Sequence, residues 1–290
     1  MSQHNNIEIS NIDFEGTLES YLRELLKCSR NFLKKSSLTK KQLNLNIKPK
    51  ETLFIPIEVI NHGEINPIYS GEEIKLIGET DEFLILSKPA NTHMHPHTYR
   101  DQNTVLNSFY QLGIGNYLKV NQAEYDRGLL YRLDYATSGL VLYAKSDEVY
   151  LKYRENFHDL VESKEYLAIC KGECSDALLK DKVNYRGEKK GAGYVVEHGE
   201  YSAFIEVNHI KYLADKNLSL VKVKLYEGIR HQIRIQLSHN KNPILGDDLY
   251  QGPKADRLYL HCYRYTINGE TYCDENLGVF RQLFDFDGKF

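Results

Sequence analysis

Apolar and polar positions change period along this chain, and each change marks an element. After Thr17, the residues Leu18, Tyr21, Leu22, Leu25 and Leu26 recur at helical spacing, which gives one apolar helix face. Thr17 or Gly16 is placed to open that helix. Ser29-Arg30 and Phe32-Leu33 begin a second element, and residues 1 to about 14 are polar and expected to fray. Val59 through Gly63 and Gly71 to Leu76 reads as short strands joined by Asn/Gly turns. From about residue 80 the pattern turns to strands with interspersed helices. Phe83 to Leu86, Tyr166 to Cys170, Phe204 to Val207 and Leu218 to Leu225 are predicted strands. Thr104 to Leu112, Asp147 to Val161 and the latter part of Arg230 to His239 are predicted helices. Strands that do not alternate regularly with helices predict an α+β fold with a mainly antiparallel sheet. The change of pattern divides an N-terminal domain, residues 1–77, from a larger domain, residues 78–290.

Between two apolar runs, Gly128-Leu-Leu and Leu140-Val-Leu-Tyr143, lies the polar stretch Tyr131-Arg-Leu-Asp134-Tyr-Ala-Thr-Ser-Gly139. The flanks read as buried strands, so the polar segment is a loop on a rigid scaffold. A lone Asp in a loop is usually a turn former. Asp134 also sits two residues from a cation and next to a tight turn at a strand end, where a sheet can hold a reactive group firmly.

The stretch resembles the His-Arg-Leu-Asp-x-x-Thr-Ser-Gly hallmark of RluA-type RNA pseudouridine synthases. Further segments resemble the same family, in its order. Phe83-Leu-Ile-Leu-Ser-Lys88-Pro89 with His95-Pro96 is similar to its first block, and Lys164-Glu-Tyr166-Leu-Ala-Ile to its Lys-x-Tyr strand. Gly228-Ile-Arg-His231-Gln232-Ile-Arg234, leading to Gly246-Asp247 and Leu249-Tyr250, resembles its C-terminal block, and Arg257-Leu-Tyr-Leu-His261 its closing strand. The resemblance covers roughly residues 80 to 268. It implies a large bent mixed sheet with flanking helices. The N-terminal domain loosely resembles the alpha-L RNA-binding motif that many of these enzymes carry.

The implied reaction breaks the bond between ribose and a uracil nitrogen, turns the base, and rejoins it through carbon 5, with no cofactor. It needs a carboxylate beside the anomeric carbon or the ring, and the resemblance assigns that role to Asp134. It sets Arg234 against Asp134, an ion pair that orients the carboxylate, and makes Tyr166 the residue that stacks on the target uracil and helps remove the carbon 5 proton. For Tyr166 the bland reading is strand packing, reasonable in a chain with 22 tyrosines. A paired uridine is out of reach and must be flipped out; Arg132 is placed to fill the vacated space. Lys88, His95, Arg230, His231 and Gln232 are assigned by their blocks to RNA contact. The chain departs from the family pattern where Tyr131 replaces histidine, where Ile229 follows Gly228 so that Arg230 falls one position late, and where Asn91 stands in the first block.

Composition sharpens this little. Apolar content of 41% and charged content of 27% describe a soluble globular protein. The net charge of −3 does not announce a nucleic-acid binder, yet binding depends on local charge. Lys34, Lys35, Lys40 and Lys41 lie in a segment from Arg30 to Lys50 with no acidic residue, which suits an RNA-contacting patch as well as it suits a solvated helix face. No apolar run approaches membrane-spanning length, and 5 scattered cysteines without an apolar leader fit a cytoplasmic protein. His93-Met-His95-Pro-His97 alternates histidines without an acidic or cysteine partner, so no metal is expected. The expected partner is ribosomal or transfer RNA, and the expected state a monomer. The competing reading is a catalytically silent RNA-binding or ribosome-assembly protein on the same fold; retention of Asp134, Tyr166 and Arg234 argues against it. A glycosidase acting on small nucleosides would lack the lysine-rich N-terminal segment.

Overall fold

The computed structural model describes residues 6–185 and 192–285. The chain forms two compact units, one of residues 1–71 and 95–113, the other of residues 72–94 and 114–290. This division differs from a cut at residue 77. The segment after Met94 belongs with the first unit because the Asn107 side chain donates to the Asn66 carbonyl at 2.8 Å and Asn66 donates to the Tyr99 carbonyl at 2.9 Å.

In the first unit, strand β1 (Asn6–Ser10) is followed by the two-residue β2 (Gly16–Thr17) and helix α1 (Leu18–Leu25), which Thr17 caps by accepting from the Ser20 amide. Ser29 caps α2 (Arg30–Lys35), and a Thr39/Gln42 capping box opens α3 (Lys40–Leu43). Strand β3 (Asn46–Ile47) pairs with β2, and β4 (Thr52–Pro56) pairs antiparallel with β1. Residues 6–10, expected to fray, are therefore paired. Val59 and Ile60, expected to start a strand, instead end a single helical turn, α4 (Ile57–Ile60). It buries Glu58, whose Oε1 accepts from the Ser37 hydroxyl and from Arg100. Thr104 caps α5 (Val105–Gln111). The core of the unit is built from Leu18, Leu22, Leu33, Leu38, Ile47, Ile55 and Val59.

The second unit is organised by one ten-stranded sheet among the described residues. Its strands are β5 (Lys75–Glu79), β6 (Phe83–Lys88), β7 (Ser138–Ala144), β8 (Val161–Lys171), β9 (Ala177–Asn184), β10 (Tyr194–Val196), β11 (Tyr201–Leu213), β12 (Leu218–Leu225), β13 (Leu260–Ile267) and β14 (Glu270–Cys273). The order is β10-β9-β11-β12-β8-β13-β7-β6-β5, with β14 on β13. Every pairing is antiparallel except β13 with β7. The sequence shows why β6 and β7 lie inside. Both contain an apolar run and are buried at every position, whereas β9 alternates and keeps one face wet. The flanking helices are α6 (Asp147–Glu155), α7 (Phe157–Leu160), α8 (Gln232–His239) and α9 (Gly278–Phe284). The segment expected as one helix from Asp147 is thus two, divided at Asn156.

Candidate active site

Asp134 sits where the chain turns into β7. Leu130 donates its amide to Leu142, and the turn closes with the Thr137 amide on the Asp134 carbonyl at 3.1 Å. The Thr-Ser-Gly sequence that follows has a packing reason. Gly139 has φ +118° and pairs in parallel with Cys262, so close that a Cβ would lie 2.2 Å from the Cys262 carbonyl oxygen. Ser138 Oγ lies 2.8 Å from His261 Nδ1 and accepts from Arg257. Lys88 braces the loop from beneath. Its ammonium donates to the carbonyls of Pro89, Thr92 and Tyr135, the last being the residue after Asp134. The side chain is 1% exposed, and burial lowers its pKa to about 7. Lys88, expected to touch RNA, is closed off from it.

Arg234 reaches Asp134 from α8. Its Nη1 is 3.7 Å from Asp134 Oδ2, while Nε and Nη2 each donate to Asp247 at 2.8 Å. Asp247 is fully enclosed and also accepts the amides of Leu249 and Tyr250 at 3.2 and 3.1 Å. Burial opposes the charge on Arg234, but the Asp247 pair outweighs it and raises the guanidinium above its ordinary range. The entry to α8 turns on His231, at φ +57° in the left-handed region. This turns the imidazole inward: Nε2 lies 3.8 Å from Asp134 Oδ2, and Nδ1 lies 3.0 Å from the Tyr250 hydroxyl. Burial lowers the His231 pKa; Asp134 pulls the other way. Gln232, expected on RNA, is spent inside: it donates to the Phe204 carbonyl and Glu227 and accepts the Ile229 amide.

Tyr166 lies on β8 opposite Val223 and Cys262. Burial pushes its phenol well above the usual range, so it is protonated at neutral pH. The Cys262 thiol and the Tyr131 phenol lie close enough to push it the same way. Tyr131, where the family pattern has histidine, links the two sides: it feels the Asp134 charge and touches Tyr166. Its ring stacks on Phe157 at 5.7 Å and carries the Lys164 ammonium 4.3 Å from its centroid. Gly228 makes room for it, since a Cβ there would meet the Tyr131 hydroxyl at 2.5 Å. Tyr131, Asp247 and Tyr250 do not stand out as site residues from sequence. The last two belong to the C-terminal block, but nothing in the residue pattern says that they point inward.

The other sequence candidates are more scattered. Arg132 is 64% exposed, with its nearest carboxylate, Asp126, at 3.9 Å. Arg230 is exposed, and its carbonyl accepts from Tyr185. Lys34, Lys35, Lys40 and Lys41 are exposed on α2 and α3, and His95 stands edge-on to His97, in the first unit. The segment read as free of acidic residues does find one from outside, since Arg30 pairs with Glu19 at 2.9 Å. Among the described residues no group of three or more His, Cys, Asp or Glu could hold a metal ion, and no helix is long and apolar enough to cross a membrane.

An ionisable carboxylate in a strand-end turn, faced by a buried arginine on a mainly antiparallel sheet, is the arrangement that the motifs implied. A family profile described as RNA pseudouridylate synthase matches residues 82–239, more than half of the chain, and the chain belongs to this family, of the RluA type. It is 35% identical over 150 residues to an uncharacterised RNA pseudouridine synthase of Helicobacter pylori strain J99, covering 49% of this chain and 59% of that protein. It is 29% identical over 182 residues to the ribosomal large subunit pseudouridine synthase D of Pseudomonas aeruginosa, covering 62% of this chain and 54% of that protein. The chain thus spans little more than half the length of these relatives. The solved structure of Human RNA Pseudouridylate Synthase Domain Containing 1 shares the fold, with a TM-score of 0.57 and 18% identity over 72% of this chain and 85% of that one.

Proposed function

We propose that the protein isomerises specific uridines to pseudouridine in structured RNA, ribosomal or transfer, with Asp134 as the reacting carboxylate. The observation that carries this reading is the Asp134–Arg234 approach at 3.7 Å inside the family match, with Arg234 fixed from behind by Asp247. A buried guanidinium locked by one carboxylate and turned toward a second holds that second group oriented, without closing over it. Tyr166 serves by ring stacking and as a protonated phenol, since burial leaves no phenolate to act as a free base. Arg132, exposed two residues before Asp134, follows the flipped nucleotide, and Arg230 meets phosphate. Lys34, Lys35, Lys40 and Lys41 form a second RNA contact on the N-terminal unit. The free cysteines, four of them buried, suit a reducing cytoplasm, and one chain suffices for every group invoked.

The test is pseudouridine mapping across total cellular RNA, with and without the gene. Loss of one or a few sites, restored by wild type and not by Asp134→Asn, is the expected result and names the substrate. An unchanged map in cells that express the gene overturns the proposal.

A further inference from the structure

The environment of Asp134 contains one more polar group, the His231 imidazole. His231 is nearly enclosed, with a side chain 10% exposed, and stands between two oxygens: Tyr250 Oη at 3.0 Å from Nδ1 and Asp134 Oδ2 at 3.8 Å from Nε2. A neutral imidazole carries one N–H, and the bond at the other nitrogen decides which. The Tyr250 hydroxyl accepts the Gly193 amide at 2.9 Å, so its own proton is free to go to His231 Nδ1. With that proton donated to Nδ1, the imidazole's own proton goes to Nε2, the nitrogen that faces the carboxylate.

The charges around the ring agree with a neutral imidazole. Burial, Arg234 and Arg230 disfavour a second proton, against Asp134 and Asp247, and the pKa falls below its ordinary value. The Tyr250 ring is itself fixed: Arg234 lies 5.1 Å from its centroid, and its backbone amide donates to Asp247. The same aspartate that locks Arg234 therefore also seats the tyrosine.

We propose that His231 is a positioning residue for the Asp134 carboxylate, held by the Tyr250 hydroxyl as the Nε2–H tautomer so that its one N–H points at Asp134 Oδ2. This rests on the reading of Asp134 as the reacting group. Arg234 and His231 approach the same oxygen, Oδ2, at 3.7 and 3.8 Å, which leaves Oδ1 as the oxygen free to meet the nucleotide. Both contacts are longer than hydrogen bonds and shorten when a bound base excludes water, as catalytic contacts commonly do.

Two measurements test it, one of them independent of substrate. Nitrogen-15 NMR of the full chain labelled at histidine, with His231 assigned from the signal that disappears in His231→Gln, reads the tautomer directly at neutral pH. The expected spectrum shows a protonated Nε2 and an acceptor-type Nδ1; a protonated Nδ1 overturns the proposal. The second is Tyr250→Phe, which removes only the hydroxyl. On a transcript of the RNA segment whose uridine loses its modification in the gene deletion, kcat is expected to fall about tenfold or more, the value of one hydrogen bond to a charged group. KM should stay within about twofold, and the NMR signal of His231 should lose its single tautomer. Unchanged kcat overturns the proposal. A wild-type protein that isomerises no uridine sinks the functional reading instead, and the tautomer measurement still decides the geometry.

Discussion

Asp247→Asn is the sharpest probe of how this site is held, because it removes a charge and almost no volume. In the folded protein Asp247 Oδ1 takes three donors: Arg234 Nη2 at 2.8 Å and the amides of Leu249 and Tyr250 at 3.2 and 3.1 Å. Oδ2 takes Arg234 Nε at 2.8 Å. An asparagine must keep its carbonyl on the two amides, so its NH2 faces the Nε–H of Arg234, donor against donor. One charge-assisted bond disappears, worth about 1.5–3 kcal/mol, and the guanidinium is left with a buried unpaired N–H. Breaking a buried pair from one side costs roughly 3–5 kcal/mol in all. At about 2–4 °C per kcal/mol for a domain of this size, the expected fall in Tm is on the order of 10 °C. Thermal unfolding should be run on wild type, Asp247→Asn, Arg234→Met and the double variant. Because the cost is that of a stranded charge, the double variant should be more stable than Asp247→Asn alone. A Tm for Asp247→Asn within about 2 °C of wild type, or a double variant less stable than both singles, would refute the account of Arg234 as locked from behind.

Asp134→Asn abolishes turnover and leaves RNA affinity within a few-fold in filter binding; normal turnover removes Asp134 from its role. Gly139→Ala forces a Cβ to 2.2 Å from a carbonyl oxygen at φ +118°, and a loss of about 3 kcal/mol or more should appear in urea unfolding. Lys88 has a folded pKa of about 7 against an unfolded value of 10.5, so between these values the unfolded state binds more protons and stability rises with pH. Wild type should gain about 2 kcal/mol more than Lys88→Met between pH 7 and pH 9; equal gains would show that the amine is not desolvated. Replacing Lys34, Lys35, Lys40 and Lys41 with alanine should weaken RNA binding and lower its log–log salt slope by about one for each phosphate that these lysines neutralise; an unchanged slope assigns the patch to solvent.

Sequence patterns report this fold best where structure is local. Helix α1 announces itself through its apolar face and its Thr17 cap, and β6 and β7 through unbroken apolar runs. Strand β1 escapes such reading because Ile7 and Ile9 alternate with polar residues, and its partner β4 is remote in sequence. The end of helix α4 reads wrongly because Val59-Ile60 suits a strand, and nothing local shows that Glu58 will be buried against Ser37 and Arg100. The motifs in turn locate residues near Asp134 without giving their direction. Lys88, His231 and Gln232 are polar members of recognised blocks, and each reads as an RNA contact. In the fold two of them are spent on backbone carbonyls and Glu227, while the third turns toward Asp134. Side-chain direction depends on the left-handed turn at His231 and on burial beneath the Asp134 loop, which are tertiary facts.

One guanidinium serving two aspartates explains why the two carboxylates have different fates. Arg234 gives its paired N–H groups to Asp247, which also takes two backbone amides and has no exposed side-chain surface. Such a carboxylate has its lone pairs occupied and is closed to chemistry. Asp134 receives the remaining nitrogen at 3.7 Å and keeps 29% of its side chain exposed. Had the pairing been reversed, with Arg234 bidentate on Asp134, both Asp134 oxygens would be tied up, and the attack proposed for them would require breaking two charge-assisted bonds. The enclosed pair with Asp247 spares Asp134 that cost while still fixing the direction of the positive charge. The hallmark loop supplies the carboxylate, but its availability is set by Asp247, more than a hundred residues further along the chain.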